Sequence, residues 1–448
     1  MFTGKQLRNM ILPLFAEQLL VMLVGLADTF VVSFAGEAAV SGVSLVNAFN
    51  TIFLYLFTAL ASGGAVVVSQ YLGRRDGETA SRAISQLLTA STLFSLGMMV
   101  IVLALNQWLL RALFGSVEPD VMAACVTYLR ISAYSYPAIA VYNAGAALYR
   151  SVGRTRTTMM ISILANVINV IGNCIGVFWL RAGVAGVAWP SLIARTFSAV
   201  AITVLCFKGR ESLRYERRHI FRWDAPLQKS MLRIAIPNGL ESGVFQLVKV
   251  ALSSVVAMFG TAQIAANGIA QSFWSVAALM CITMGPVFIT VIGQAMGAGD
   301  TQQAERDFRR LMKITLLASV AWNALTLALT PLAARAYAVS DETRTLVLQL
   351  VLIHNIFNGV SLPFADPLGK GLRAAGDIRF TTGISIFTTV GVRLVFSYLF
   401  AIGLNMGVIG IAWAMCLDWT VRGAIYAVRF HRGKWKTFRV IQEESENT

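Results

Sequence analysis

Residues 70–82 read QYLGRRDGETASR, and residues 294–306, 224 positions further on, read QAMGAGDTQQAER. Gln70, Gly73, Asp76, Ala80 and Arg82 meet Gln294, Gly297, Asp300, Ala304 and Arg306 in one register. The same offset runs back without a gap to Lys5, pairing Pro13 with Pro237, Glu17 with Glu241, Gly36 with Gly260 and Phe49 with Phe273. Further on, YRSVGRTRTT (149–158) answers LRAAGDIRFTT (372–382) with a one-residue adjustment, and GVAGVAW (183–189) answers GVIGIAW (407–413) at 224 again. Shared Leu or Val would follow from composition alone, but Pro, Glu, Gln, Gly and Asp in one register do not. The chain is an internal duplication.

Composition says what each copy is made of. The 448 residues are 56% hydrophobic and 13% charged, against roughly 25% charged in an ordinary globular domain. Soluble enzymes and disordered chains are excluded. Stretches of about 20 apolar residues, the length that crosses a hydrocarbon core of roughly 30 Å, recur near 10–35, 44–71, 84–110, 122–149, 157–178, 184–207, 231–258, 264–295, 312–334, 345–370, 380–403 and 407–430. Backbone exposed to lipid must bond within its own segment, so these spans are helices. Lys5 and Arg8 precede the first span without a following small-residue cleavage site, which reads as a retained span. The expected fold is an all-α integral membrane protein of about twelve transmembrane helices in two six-helix bundles.

The connections alternate in charge. The N-terminus, Arg74–Arg82, Arg150–Arg156, Lys208–Arg233, Arg306–Lys313, Lys370–Arg379 and Arg429–Arg439 hold most of the Lys and Arg. The opposite set offers Arg111, Arg130, Arg181, Arg335 and Arg344. Positive loops mark the cytoplasmic side, so both termini are expected there, in a plasma (inner) membrane. The net charge of +15 is thus a topology signal and not a nucleic-acid surface. Six spans per half, an even number, make the repeat parallel. The expected organisation is an N-terminal bundle (1–207), a cytoplasmic linker (208–230), a C-terminal bundle (231–430) and a cytoplasmic tail (431–448). Two such bundles have the makings of a transporter that exposes a central site to each side in turn.

The residues now quoted resemble the multidrug and toxic compound extrusion (MATE) transporters. The resemblance rests on LADTFVVSFAGEAAVSGVSL (26–45) and GRRDGETASR (73–82), on their counterparts IPNGLESGVFQLVKV (236–250), FGTAQIAANGI (259–269) and GQAMGAGDTQQAERDF (293–308), and on LYRSVGRTRTT (148–158). It covers essentially residues 5–430. It implies an exporter of bulky, often cationic compounds driven by inward Na⁺ or H⁺.

An ionisable group in the hydrocarbon costs about 2.5–3.5 kcal/mol on insertion scales, so each needs a reason. Asp28 lies eleven residues after Glu17, a spacing that brings both to nearly one helix face. Asp28 is a candidate cation or proton site whose coupling pocket Asn169 and Asn173 complete, or else a structural hydrogen-bond hub satisfied by Asn169 or Asn173. The resemblance implies a coupling role for an acid at this place. Some members carry an acid where this chain has Asn173, which removes one titratable group. Glu241 follows Pro237 by four residues as Glu17 follows Pro13. A proline frees carbonyls that can join a carboxylate around a cation. The bland alternative is a self-neutralising Glu241–Lys249 pair. The resemblance implies a cation or substrate role for Glu241. Glu17 is expected to be a helix-terminus contact or a charge at a cavity rim.

Asp366 stands between Pro363 and Pro367, a pattern that breaks a span, and broken spans line ion and substrate sites. The acid that the resemblance implies in the tenth span falls at Leu362, so Asp366 shares only its face. His354 is expected to be a packed polar contact. Arg393 is expected to pair with an acid of the second bundle, and Asp418 with Arg422, four residues apart. Arg195 has no assignment. Phe49, Phe273, Trp274, Met280 and Met284 could line an adaptable pocket, as Met-rich surfaces do, or fill the lipid face. Cys125, Cys174, Cys206, Cys281 and Cys416 show no CxxC or His partner, so neither disulfides nor a metal are expected.

No GxxxxGK[ST] loop, HExxH or Ser–His–Asp set occurs. The expectation is a monomeric transporter, not an enzyme, with no cofactor beyond its coupling ion, no nucleotide and no nucleic acid. Its partners would be amphipathic cations and membrane lipids. The alternative is a flippase or exporter of lipid-linked saccharides, whose anionic cargo would want a basic cleft. A channel is a further alternative, less suited to two unlike halves.

Overall fold

The computed structural model describes residues 2–115, 117–208, 214–220, 222–335 and 339–441, and no strand occurs among them. The first half holds α1 (Gly4–Ser33), α2 (Glu37–Gly73), α3 (Gly77–Phe114), α4 (Pro119–Ala133 and Tyr136–Ser151), α5 (Thr155–Trp179) and α6 (Ala185–Lys208). The second holds α7 (Ala225–Ala257), α8 (Thr261–Ala277 and Leu279–Gly297), α9 (Thr301–Arg335), α10 (Asp341–Val360 and Leu362–Ala374), α11 (Ile378–Gly403) and α12 (Gly407–His431). Ten of these are long and apolar enough to span alone, and α10 makes eleven if its bent pair is one span. The remaining span is α4, whose pieces of 15 and 16 residues are each too short.

The duplicated motif around Asp76 and Asp300 is a helix cap. Asp76 accepts a hydrogen bond from the Thr79 amide at 2.9 Å and starts α3. Its repeat mate Asp300 accepts from the Gln303 amide at 2.8 Å ahead of α9. A side-chain acceptor at this place satisfies an amide that the first helical turn leaves open. Just before each cap the backbone is left-handed, at Arg75 with φ 64° and at Gly299 with φ 75°.

Other irregularities repeat as well. The fourth helix of each half is broken, α4 just before Pro137 and α10 by 55° around Pro363 and Pro367. Proline removes an amide donor and crowds the preceding turn. The GVAGVAW motif marks a close crossing: a Cβ on Gly176 would stand 2.1 Å from the Gly186 carbonyl oxygen. Gly410, the mate of Gly186, lies close over the backbone of Phe400 and Ala401, both 2.7 Å from a built Cβ. Beside these crossings the helix widens to a π turn, Ile175–Trp179 in α5 and Leu399–Gly403 in α11. A second π stretch, Thr388–Leu394, occurs in α11.

Two compact units divide the chain at Gly239, inside α7 and not at its start. In the first unit, Gly63 of α2 lets the early part of α7 approach, with Met231 and Ala235 against it. Linker residues His219, Arg222 and Asp224 are also tied down there. Gln86 of α3 donates to the carbonyls of His219 and Arg222 and accepts from the Asp224 amide. In the second unit the residues after α12 fold back, and Trp435 is fully buried against Phe308 and Phe430.

Candidate functional site

Two buried polar layers cross the first bundle, both built between α1 and α5. In the lower layer Glu17 is 3% exposed. Arg150 Nη2 lies 3.0 Å from Glu17 Oε1, Thr158 Oγ1 donates to Oε2 at 3.1 Å, and Tyr142 donates to Oε1 at 3.3 Å. Glu17 is therefore no cavity-rim charge: every oxygen is engaged inside the bundle. Eleven residues along α1, and eleven along α5 from Thr158, the second layer brings together Asp28, Asn169 and Asn173.

Asn173 Nδ2 donates to Asp28 Oδ1 at 2.7 Å. With its amide turned so that its oxygen accepts from Ser191 Oγ at 2.9 Å, Asn169 holds its nitrogen 2.8 and 3.1 Å from the two Asp28 oxygens. A cavity of about 340 Å³ opens beside the carboxylate, lined among others by Tyr142, Asn166, Ser191 and Arg195. Arg195 is steered to Ser135 Oγ at 2.7 Å and makes no ion pair with Asp28 at bonding distance among the described residues. Arg195, without an assignment from sequence, lines the Asp28 cavity. An ionisable side chain within the sixth span was the available signal.

The second bundle is different. Glu241 is ion-paired with Arg373 and accepts from Ser385 Oγ at 2.6 Å. The Glu241–Lys249 pair is thus corrected. Eight residues lie about 12 Å apart along a helix, while Arg373 comes across from α10, and Lys249 is exposed. Asp366 sits 2.8 Å from Lys370 Nζ, one turn on in α10. Asp418, fully buried, is gripped by Arg393 at 2.8 Å and Arg422 at 2.7 Å. Arg422 also donates to Thr388 and Thr389, and Arg393 lies over the Phe245 ring. These pairings agree with the expectation for Arg393, Asp418 and Arg422.

His354 is buried 6.4 Å from the Trp419 ring, and neither of its ring nitrogens has a partner among the described residues. Met284 is 0% exposed and Met280 is buried beside it in α8, so neither faces an open pocket or lipid. Phe49 packs edge-on against Phe53 in the first core, and Phe273 joins the second core. Aromatic and sulfur content did not reveal which face of each helix turns inward.

Comparing the halves sharpens the asymmetry. At the 224-residue offset, Asn169 corresponds to Arg393, Asn173 to Ser397, and Asp28 to Leu252. The place that holds an acid with two amides in one half holds a guanidinium in the other. Of Asp28, Glu241 and Asp366, only Asp28 has no salt bridge among the described residues.

Twelve helices in duplicated sets, with ionisable groups held inside each set, define a multi-pass membrane transporter. The MatE family model matches residues 13–175 and 237–399, two segments in the same repeat register, and the chain belongs to that family of transporters. The chain is similar to the uncharacterized transporter YisQ of Bacillus subtilis, 25% identical over 94% of this chain and 93% of that one. It is similar to the probable multidrug resistance protein NorM of Thermotoga maritima, 23% identical over 98% and 95%. Among solved structures, the outward-facing conformation of a multidrug resistance MATE family transporter of the MOP superfamily shares the fold, with a TM-score of 0.90, 20% identity and 96% of each chain covered.

Proposed function

We propose that this protein is a secondary active exporter of amphipathic, cationic compounds, exchanging them for inward H⁺ or Na⁺ by alternating access of its two bundles. One observation carries the reading. Of Asp28, Glu241 and Asp366, Asp28 alone has no ion-pair partner among the described residues, and it sits at a cavity of about 340 Å³. An unpaired carboxylate held by amide donors can exchange a drug's positive charge for a proton or a metal cation. Arg195, turned onto Ser135, adds positive field without closing the site. The names of relatives such as NorM support multidrug cargo.

In this reading the protein works as a monomer in the plasma (inner) membrane with both termini cytoplasmic, and it needs no cofactor beyond the coupling ion. Displacement of one charge across 100 mV supplies roughly 2.3 kcal/mol, which is the driving force available per ion.

The test is ethidium efflux from proteoliposomes under a pH gradient or a Na⁺ gradient imposed separately. Wild type should respond to one of them. Asp28→Asn should respond to neither while keeping a monodisperse elution profile. Gradient-driven efflux by Asp28→Asn at the wild-type rate would overturn the assignment of coupling to Asp28.

A second reading, export of lipid-linked saccharides, is favoured by the charge balance of the second bundle. There Lys370, Arg373, Arg393 and Arg422 oppose Asp366, Glu241 and Asp418, four bases against three acids. A scramblase assay with a fluorescent polyprenyl-phosphate sugar, run on the same proteoliposomes, separates the two.

A further inference from the structure

A polar concavity in the first bundle that transport does not use lies between α3 and α4. It has a volume of about 760 Å³, and Asn106, Gln107, Trp108, Arg111 and Arg130 line it. The spacing explains the convergence. Gln107 and Arg111 are four apart on α3, Val126 and Arg130 four apart on α4, so each pair lies on one helix face. The two faces meet at the pocket.

Three features mark it as built to hold a ligand. First, Arg111 and Arg130 are two of only five basic residues in the connections and span ends away from the basic loops, and neither has an ion-pair or hydrogen-bond partner among the described residues. Second, Asn106 is 4% exposed, yet neither its amide nitrogen nor its oxygen has a partner. A buried amide left open on both sides is costly, and a ligand with both an acceptor and a donor would recover the loss. Third, Trp108 is 65% exposed beside the two guanidiniums, and Val100, Ile101 and Leu105 are exposed along the preceding turns of α3. An apolar exposed stretch ending in Trp and Arg is the signature of the membrane–water interface.

We propose that this pocket binds the phosphodiester headgroup of an anionic phospholipid that carries a free hydroxyl, with its acyl chains along the exposed face of α3. Guanidinium groups match phosphate oxygens by paired, charge-assisted hydrogen bonds. The amide nitrogen of Asn106 donates to a phosphate or glycerol oxygen, and its oxygen accepts from the headgroup hydroxyl. A zwitterionic choline headgroup offers no such hydroxyl and brings a positive charge toward two arginines.

Native mass spectrometry of the delipidated full chain tests this, with phosphatidylglycerol, phosphatidylcholine and inorganic phosphate added in separate arms. Wild type should retain phosphatidylglycerol in preference to phosphatidylcholine, and inorganic phosphate in millimolar excess should not displace it. Arg111→Gln/Arg130→Gln should weaken phosphatidylglycerol retention about tenfold or more, and Arg111→Lys/Arg130→Lys should keep part of it. Should the double Gln variant fail to fold, Arg111→Gln alone supplies the same comparison. Equal retention of both lipids by wild type overturns the proposal, as does unchanged phosphatidylglycerol retention in the folded Gln variant. Displacement by inorganic phosphate assigns the pocket to a soluble anion and overturns the lipid.

Discussion

Arg150 reaches across the first bundle to Glu17 at 3.0 Å, and one repeat later Arg373 does the same to Glu241. Both acids follow a helix proline by four residues, and both arginines come from the end of the fourth helix of their half. Each half thus carries one buried strut that ties its first helix to its fourth. A buried pair of this kind is costly to break because the survivor is left charged without a partner. The strut, not cargo binding, explains why these acids occur in both copies.

Glu17→Gln should therefore lower stability by about 3 kcal/mol, read as a fall in the midpoint of thermal unfolding in detergent. Glu17→Gln with Arg150→Met should recover most of the loss. An unchanged midpoint in the single variant would remove the strut.

The Arg393–Asp418–Arg422 cluster invites the complementary change. Asp418→Asn leaves two buried guanidiniums facing each other without their shared acid, and the loss should be about 3–5 kcal/mol. Adding Arg393→Gln removes one of the two charges and should restore part of the folded yield in a fluorescence-detected elution profile. If Asp418→Asn elutes as wild type does, the cluster contributes nothing to stability.

At the α5–α6 crossing, Gly176→Ala would press a methyl to within 2.1 Å of the Gly186 carbonyl oxygen. Overpacking of backbone on backbone should cost about 3 kcal/mol or more. Gly97→Ala is the control, since nothing lies within 4 Å of its Cβ. Thermal midpoints should fall for the first and stay level for the second.

Gln86 holds the linker through three backbone partners. Replacing it by Ala should free residues 214–220 and 222–224, and limited trypsin digestion at Arg217 and Arg218 should run about tenfold faster, the effect of losing about 1.4 kcal/mol of local stability. Equal cleavage rates would show that other contacts secure the segment.

Much of this was legible beforehand because the bilayer sets lengths and the duplication supplies an internal alignment. The spans and the broken tenth helix around Asp366 follow from local chemistry. Asp28 with its two asparagines was readable too, since amides at 169 and 173 share a face. What failed was partner choice across helices. Lys249 is near Glu241 in sequence yet exposed, whereas the partner Arg373 comes from another helix and answers Arg150 in the repeat. An acid and a base both kept in two copies are a pair worth testing before any neighbour on the same helix. The inward burial of Met284 and the cavity role of Arg195 depend on helix rotation, which hydrophobic content does not encode.

The π turns at Ile175–Trp179 and Leu399–Gly403 occupy the same place in the two halves. An irregularity shared in register belongs to the repeated unit and not to contacts particular to either half. That unit is a six-helix set with its own crossing glycine, capped third helix and Glu–Arg strut. On this common frame the polar position at 169 and 393 differs, an amide beside an acid in one half and an arginine in the other, so the two copies divide a labour that identical halves would share.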